Sequence, residues 1–329
     1  MAAARARVCV VGAGAIGGFF AARLAHAGYG VSLLARGKTL EAIRRHGLRF
    51  ESGSERYAVE VRASERAGDL GPQDVVFVSV KAPALAEAAK LVPALLEADT
   101  IVVPTQNGLP WWFFLPGGAA LSGRRLRTVD PEGAIEAAIP LERVVGAVVF
   151  PSCSCPEPGL VRHASGTRLV FGEPSGGASA RVGGLVRLLQ EAGLAAEESD
   201  AIRREYWLKV LGNGCWNPVS LLIGTPTDAM IDDPRLHALF TSMMEEIIAL
   251  GRRIGIETEV RPAERIALTR KLGSVKTSML QDVEAGRAVE IDAIAGVLVE
   301  TAEAVGFPAP LLGALYALAR MRASVLGLY

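Results

Sequence analysis

Through the first half of the chain, short unbroken runs of apolar residues alternate with amphipathic stretches. Residues 7–11, 30–35, 74–80 and 100–103 have the continuous Val/Ile/Leu character of strands covered on both faces, not the apolar–polar alternation of a strand with one wet face. Residues 15–27 and 84–96 carry helical patterns between them. Such strand–helix–strand alternation predicts a parallel sheet flanked by helices. Residues 48–61 alternate around Ser52-Gly53-Ser54 and predict a hairpin, and 144–150 and 168–171 predict further strands. Glu173-Pro174-Ser175-Gly176-Gly177 breaks the pattern. Beyond it strand signals stop, and helical periodicity takes over at 181–192, 201–223, 234–254, 263–272, 277–285, 291–305 and 311–323. Gly193, Gly255 and Gly306 stand where helices need a left-handed stop, and Pro308 discourages continuation. The expected organisation is an α/β parallel-sheet domain over residues 1–174 and an all-helical domain over residues 175–329.

Composition narrows the classes. A chain of 329 residues is long enough for about two domains, each with its own core. Thirty-five basic side chains balance 35 acidic ones, so there is no general attraction to phosphate backbones and no nucleic-acid partner is expected. No apolar run approaches the ~20 residues a bilayer demands, so no membrane partner is expected either. Cys9, Cys153, Cys155 and Cys215 make no disulfide framework in a chain of this size, and Cys153 and Cys155, with no further Cys or His nearby, make no metal site. The four histidines are dispersed. A cytoplasmic protein is expected, and the helical second half can supply the face of a homodimer.

The first strand runs into Gly12-Ala13-Gly14-Ala15-Ile16-Gly17, which fits G-x-G-x-x-G at a strand-to-helix junction within a βαβ unit. Gly12 permits the tight turn, Gly14 leaves room for a pyrophosphate and Gly17 lets helix and strand pack closely, while the helix N-terminus offers unpaired N–H groups to the anion. The first domain is therefore expected to be a Rossmann-type dinucleotide-binding domain. At the end of the second strand, where an NAD site places an acid, this chain has Arg36. A guanidinium grips a 2′-phosphate that an acid would repel, which favours NADP(H) over NAD and argues against an S-adenosylmethionine methyltransferase.

In the second half, Lys209, Asn213 and Asn217 recur at intervals of four in an apolar setting. Four residues advance a helix by about 400°, so the three share one face over ~12 Å, a row of contacts suited to a small substrate. Polar groups aligned in apolar surroundings require partners. Snorkelling of the lysine and bonding of the asparagines to neighbouring helices would satisfy them equally. Pro218 is expected to bend the helix just past Asn217. A buried lysine is lowered by desolvation and raised again by a nearby carboxylate, as suits an ammonium that must give a proton to a developing alkoxide.

The segment Thr277-Ser278-Met279-Leu280-Gln281-Asp282 through Glu290-Ile291-Asp292-Ala293-Ile294-Ala295-Gly296 completes a set. Together with the glycine turn, Val80-Lys81-Ala82, Gln106-Asn107-Gly108 and the Lys209 helix, it makes the chain resemble the ketopantoate reductase (2-dehydropantoate 2-reductase) family nearly end to end. The resemblance implies a Rossmann domain, a helical domain and a catalytic cleft between them. It implies Lys209 as general acid, Glu290 as the carboxylate that positions substrate and influences the lysine, and Asn213, Asn217 and Ser278 as substrate ligands. Asn107 would stand at the nicotinamide–substrate junction, Lys81 would line the cofactor cleft, Arg36 would take the 2′-phosphate, and residues 12–17 would hold the pyrophosphate. The implied reaction is reduction of the ketone of a small 2-oxo acid by NADPH without a metal, a cationic donor stabilising the charge that grows on oxygen.

Local readings compete at several positions. Ser278 could cap the next helix, Glu290 could favour a helix dipole, and Asp282 and Arg287 suit a local ion pair. Two departures bear on the substrate. Asn107-Gly108 is followed by Trp111-Trp112-Phe113-Phe114, either a packed loop or subunit contact, or an apolar wall for a substrate bulkier than ketopantoate. Thr227 and Val275 stand where pantoate-specific members carry asparagine, and a lost amide changes recognition of substrate hydroxyls. A reductase or dehydrogenase of another ketone or imine, and an NADP-sensing protein without turnover, are the alternatives; the second would have a broken Lys/Glu pair, and both Lys209 and Glu290 are present.

Overall fold

The computed structural model of the chain describes residues 5–116 and 120–329. Two compact units are formed, one from Met1–Gln106 with Gly133–Ile202, the other from Asn107–Glu132 with Arg203–Tyr329.

The first unit begins with β1 (Arg7–Val11), α1 (Ala15–His26), β2 (Gly30–Leu34) and α2 (Gly37–His46). The hairpin β3 (Leu48–Ser52) and β4 (Glu55–Val59) follows, then β5 (Arg62–Ser64), β6 (Val75–Val78), α3 (Leu85–Ala89), β7 (Ile101–Pro104) and α4 (Ala134–Ala138). It closes with β8 (Gly146–Val149), β9 (Ser152–Glu157), β10 (Leu160–Ser165), β11 (Leu169–Gly172), α5 (Ala180–Glu191) and β12 (Ala196–Glu198). Five strands form a sheet in the order β5-β2-β1-β6-β7, every neighbouring pair parallel. A bridge from Val102 to Val144 sets the three-stranded β12-β11-β8 sheet beside β7. A smaller sheet, β4-β3-β10-β9, contains the expected hairpin. The unbroken apolar runs are buried throughout β1 and β6, and Phe20 of α1 stacks on Phe77 of β6 at 4.6 Å between ring centroids. This is the Rossmann-type arrangement, with the sheet order reversing between β1 and β6.

The second unit is helical: α6 (Ile202–Ile223), α7 (Thr227–Asp232), α8 (Pro234–Arg253), α9 (Pro262–Arg270), α10 (Ser278–Glu284), α11 (Val297–Ala304) and α12 (Pro310–Val325). A π turn, Asp292–Gly296, leads into α11. Among the described residues no helix is long and apolar enough to cross a membrane.

Four expectations need correction, and the open alternatives for the aromatic loop are resolved. The division at residues 174 and 175 is displaced, because α5 and β12 belong with the sheet unit and 107–132 with the helical one. Trp112 meets Tyr206 edge-on at 5.5 Å and Phe113 lies 6.3 Å from Trp207, so the aromatic loop is part of the helical core. The helix expected over 84–96 is three short pieces, Ala82–Ala84, α3 and Val92–Leu95, since Pro83 and Pro93 lack the N–H that a continuous helix needs. Strand structure also does not stop at residue 174, for β12 pairs in parallel with β11. The helix expected over 291–305 is wound as the π turn before it becomes α11.

Candidate active site

The carboxyl ends of the parallel strands carry the first group of residues. β1 leads into Gly12, whose φ of +103° suits glycine, and a Cβ there would stand 2.7 Å from Val80 Cγ1. A Cβ on Gly17 would overlap the Gly12 carbonyl oxygen, which accounts for the third glycine as a packing requirement of α1 against β1. Gly14 differs, for a Cβ there would meet nothing within 4 Å. Gly14 is the N-cap of the twelve-residue α1, no side chain caps that helix, and its first turn holds no acid. Open space, uncapped N–H groups and absence of negative charge together fit a pyrophosphate. Ala13, Ala15 and Ile16 complete the turn and are all partly open.

The neighbouring strand ends converge on the same edge. Arg36 follows β2 as the N-cap of α2, is exposed, and its guanidinium has no hydrogen-bond partner among the described residues. Lys81 follows β6, whose continuation is fixed by Ser79 N–H donating to the Val11 carbonyl at 2.8 Å. Gln106, just past β7, donates from Nε2 to the carbonyls of Val78 at 2.8 Å and Val80 at 2.9 Å. Sequence reading took Gln106 only as part of a motif, whereas here it braces the loop beside the glycine turn.

The helical unit carries the second group. Lys209, Asn213 and Asn217 lie along α6, which runs through Pro218 to Ile223. Burial pushes the Lys209 ammonium down from 10.5 to about 8, and the carboxylate of Glu290 works against that fall. Glu290 is itself buried, two residues before the π turn opens. Asn213 is partly open and its side-chain amide has no hydrogen-bond partner among the described residues, and the same holds for the amide of Asn107. Asn217 is buried and donates from Nδ2 to Ser278 Oγ at 3.3 Å. Ser278 does not cap α10; Thr277 does, accepting from the Leu280 N–H at 3.1 Å, which leaves Ser278 Oγ to Asn217 and to solvent. Thr277 also meets Ser220 at 2.6 Å between hydroxyls, a buried support that was not anticipated because neither residue stood out from its neighbours.

Asn107 and Glu290 are tied through their neighbours. Gly108 has φ +85°, and a Cβ there would overlap the Ala293 carbonyl oxygen. That close approach lets Leu109 N–H donate to the same carbonyl at 3.1 Å, so the loop after Asn107 is fastened to the π turn after Glu290. Asp282 and Arg287 form the expected local ion pair, Nε to Oδ1 at 3.1 Å. Trp111, Trp112, Phe113 and Phe114 are each no more than 1% exposed, so they form packed core and not an apolar wall. Among the described residues no group of three or more His, Cys, Asp or Glu side chains is placed to hold a metal ion.

Sheet order, glycine turn and helical unit define a two-unit oxidoreductase built on a dinucleotide-binding fold. Comparison with known proteins narrows the class. Residues 8–176 match the family model described as Ketopantoate reductase PanE/ApbA, and residues 201–323 match Ketopantoate reductase PanE/ApbA C terminal. A 2-dehydropantoate 2-reductase of Mesorhizobium japonicum is 43% identical over 98% of this chain and 99% of its own. The crystal structure of a putative ketopantoate reductase from Ralstonia solanacearum MolK2 is 45% identical, with a TM-score of 0.95 over 98% of this chain and 99% of that one. D-Mandelate dehydrogenase, solved with NADH and anilino(oxo)acetate, shares the fold with a TM-score of 0.84 at 21% identity, over 98% of this chain and 100% of that one. The chain belongs to the ketopantoate reductase family.

Proposed function

We propose that the chain reduces the ketone of a 2-oxo acid, 2-dehydropantoate, to the 2-hydroxy acid with NADPH, in the cytoplasm. The observation that carries this reading is the lysine: an ammonium lowered to about 8 by burial, with a buried carboxylate acting on it, on the helix face that also presents Asn213 and Asn217. Such a group is protonated at neutral pH yet gives up its proton far more readily than a solvated lysine. Residues 12–17 would hold the pyrophosphate, Arg36 the 2′-phosphate, and Lys81 would line the nucleotide site. A reduced nicotinamide nucleotide supplies, when bound, the hydride that reaches the carbonyl carbon. Lys209 Nζ donates a proton to the carbonyl oxygen as negative charge grows there, and Glu290 keeps the ammonium charged until that moment. Asn213, Asn217, Ser278 and Asn107 orient the acid through its oxygen atoms. The names of the relatives support this substrate class.

A second reading, reduction of a bulkier 2-oxo acid in place of 2-dehydropantoate, is favoured by Thr227. Its hydroxyl is buried and lies 3.3 Å from the Gly273 carbonyl and 3.2 Å from that of Val275, so it is engaged with backbone where an amide would otherwise address a substrate hydroxyl. Initial rates of NADPH oxidation across a panel of 2-oxo acids separate the two. Turnover of 2-dehydropantoate above all others supports the first reading. Turnover of a larger ketone with 2-dehydropantoate inert supports the second, and no turnover of any 2-oxo acid contradicts both.

A further inference from the structure

Glu290 can act on Lys209 only from a fixed position, and its surroundings show what fixes it. The residues on either side, Val289 and Ile291, are buried in one apolar cluster with Leu328, Ala319 and Ala323. Val289 N–H donates to the Leu328 carbonyl at 3.0 Å. Two residues past Glu290, Asp292 opens the π turn, and both its oxygens are taken by phenols. Tyr316 donates to Oδ1 at 2.7 Å and Tyr329 to Oδ2 at 2.9 Å. Arg320 holds Tyr329 in turn, its Nε donating to the phenol oxygen at 2.8 Å and its guanidinium lying 4.7 Å from the ring centroid. Burial, followed by the hydrogen bond to Asp292, raises the Tyr316 phenol well above its ordinary value, so it stays a donor.

This arrangement does more than the packing of a helix end requires. A π turn inserts one residue into the helical register and is a weak element on its own. Here its first side chain is gripped from α12 and from the segment that follows α12, while its Ala293 carbonyl is gripped by the loop after Asn107. A carboxylate accepting two hydrogen bonds on separate oxygens cannot rotate freely, so the backbone two residues earlier is held as well.

We propose that Asp292, with Tyr316 and Tyr329, is a positioning clamp that sets where the Glu290 carboxylate stands relative to Lys209. The three are positioning residues, acting through Glu290, and the proposal rests on the role given to Glu290 under Proposed function. Tyr329 offers the mildest perturbation, being 54% exposed, so that Tyr329→Phe keeps the ring and its packing and removes only the hydroxyl, with its hydrogen bonds to Asp292 and from Arg320.

The test is a double-mutant cycle on kcat for 2-oxo acid reduction, using Tyr329→Phe and the pair Tyr316→Phe/Tyr329→Phe, each with and without Glu290→Gln. Melting temperature and NADPH affinity are measured on every protein. With Glu290 present, kcat is expected to fall about threefold for Tyr329→Phe and about tenfold for the pair, with NADPH affinity unchanged. In the Glu290→Gln background the same changes are expected to cost less than about twofold, because the group they position is gone. Equal losses in both backgrounds, or no loss in either, overturn the clamp while leaving the role of Glu290 intact. Wild-type kcat for Glu290→Gln alone overturns the role of Glu290, and the clamp with it.

Discussion

When Lys209 supplies the proton, kcat/KM for reduction follows the fraction of that side chain carrying it. With the ammonium lowered to about 8, the fraction is about nine-tenths near pH 7 and about one-tenth near pH 9, so the rate falls roughly tenfold across that interval. A lysine at its ordinary 10.5 would remain charged throughout, and the profile would be flat. The sign reverses for oxidation of the 2-hydroxy acid, where neutral Lys209 is the base and the rate rises over the same range. Glu290 raises the lysine against desolvation. Removing its charge in Glu290→Gln therefore moves the ionisation lower, and the reductive profile starts to fall at more acidic pH. Initial rates with saturating NADPH and limiting 2-oxo acid, collected at constant ionic strength, give both profiles. A flat wild-type profile between about pH 7 and pH 9, or a midpoint that moves upward in Glu290→Gln, would refute the assignment of the lysine.

Two further predictions concern other parts of the molecule. Arg36→Asp places an acid at the end of β2, and NADPH affinity should fall at least tenfold more than NADH affinity in fluorescence titrations; equal losses would remove the 2′-phosphate from the role given to Arg36. Trp112→Ala should destabilise the helical unit by about 3–5 kcal/mol in urea unfolding, since its ring is fully buried against Tyr206, and a loss under ~1 kcal/mol would show the aromatic loop is not core.

Much of this was legible in the chain because the physics is local. The runs at Val8 to Val11 and Val75 to Val78 are buried on both faces, and only a parallel sheet flanked by helices needs that. Lys209, Asn213 and Asn217 share a helix face by periodicity alone, and the glycine turn has a steric reason at Gly12 and Gly17, with open space at Gly14. Illegible features depend on partners distant in sequence. Trp111-Trp112-Phe113-Phe114 reads equally as wall or core until Tyr206 and Trp207 are seen against it, and the same contacts carry 107–132 into the helical unit and displace the expected boundary. The β9–β10 pair was missed because Ser-Cys-Ser-Cys-Pro-Glu has neither apolar alternation nor burial, its pairing being set by β3 beyond it. The π turn at Asp292 was read as ordinary helix because an extra residue in the register leaves no trace in a short apolar pattern. Its anchors, Tyr316 and Tyr329, lie 24 and 37 residues further on.

The most direct measurement is the single-turnover rate of 2-oxo acid reduction by Lys209→Ala beside the parent protein, with NADPH affinity determined on the same samples. A loss of at least about a thousandfold in rate, with NADPH bound as tightly as before, is expected of a general acid acting at the carbonyl oxygen. A rate within about tenfold of the parent would mean that the proton comes from elsewhere.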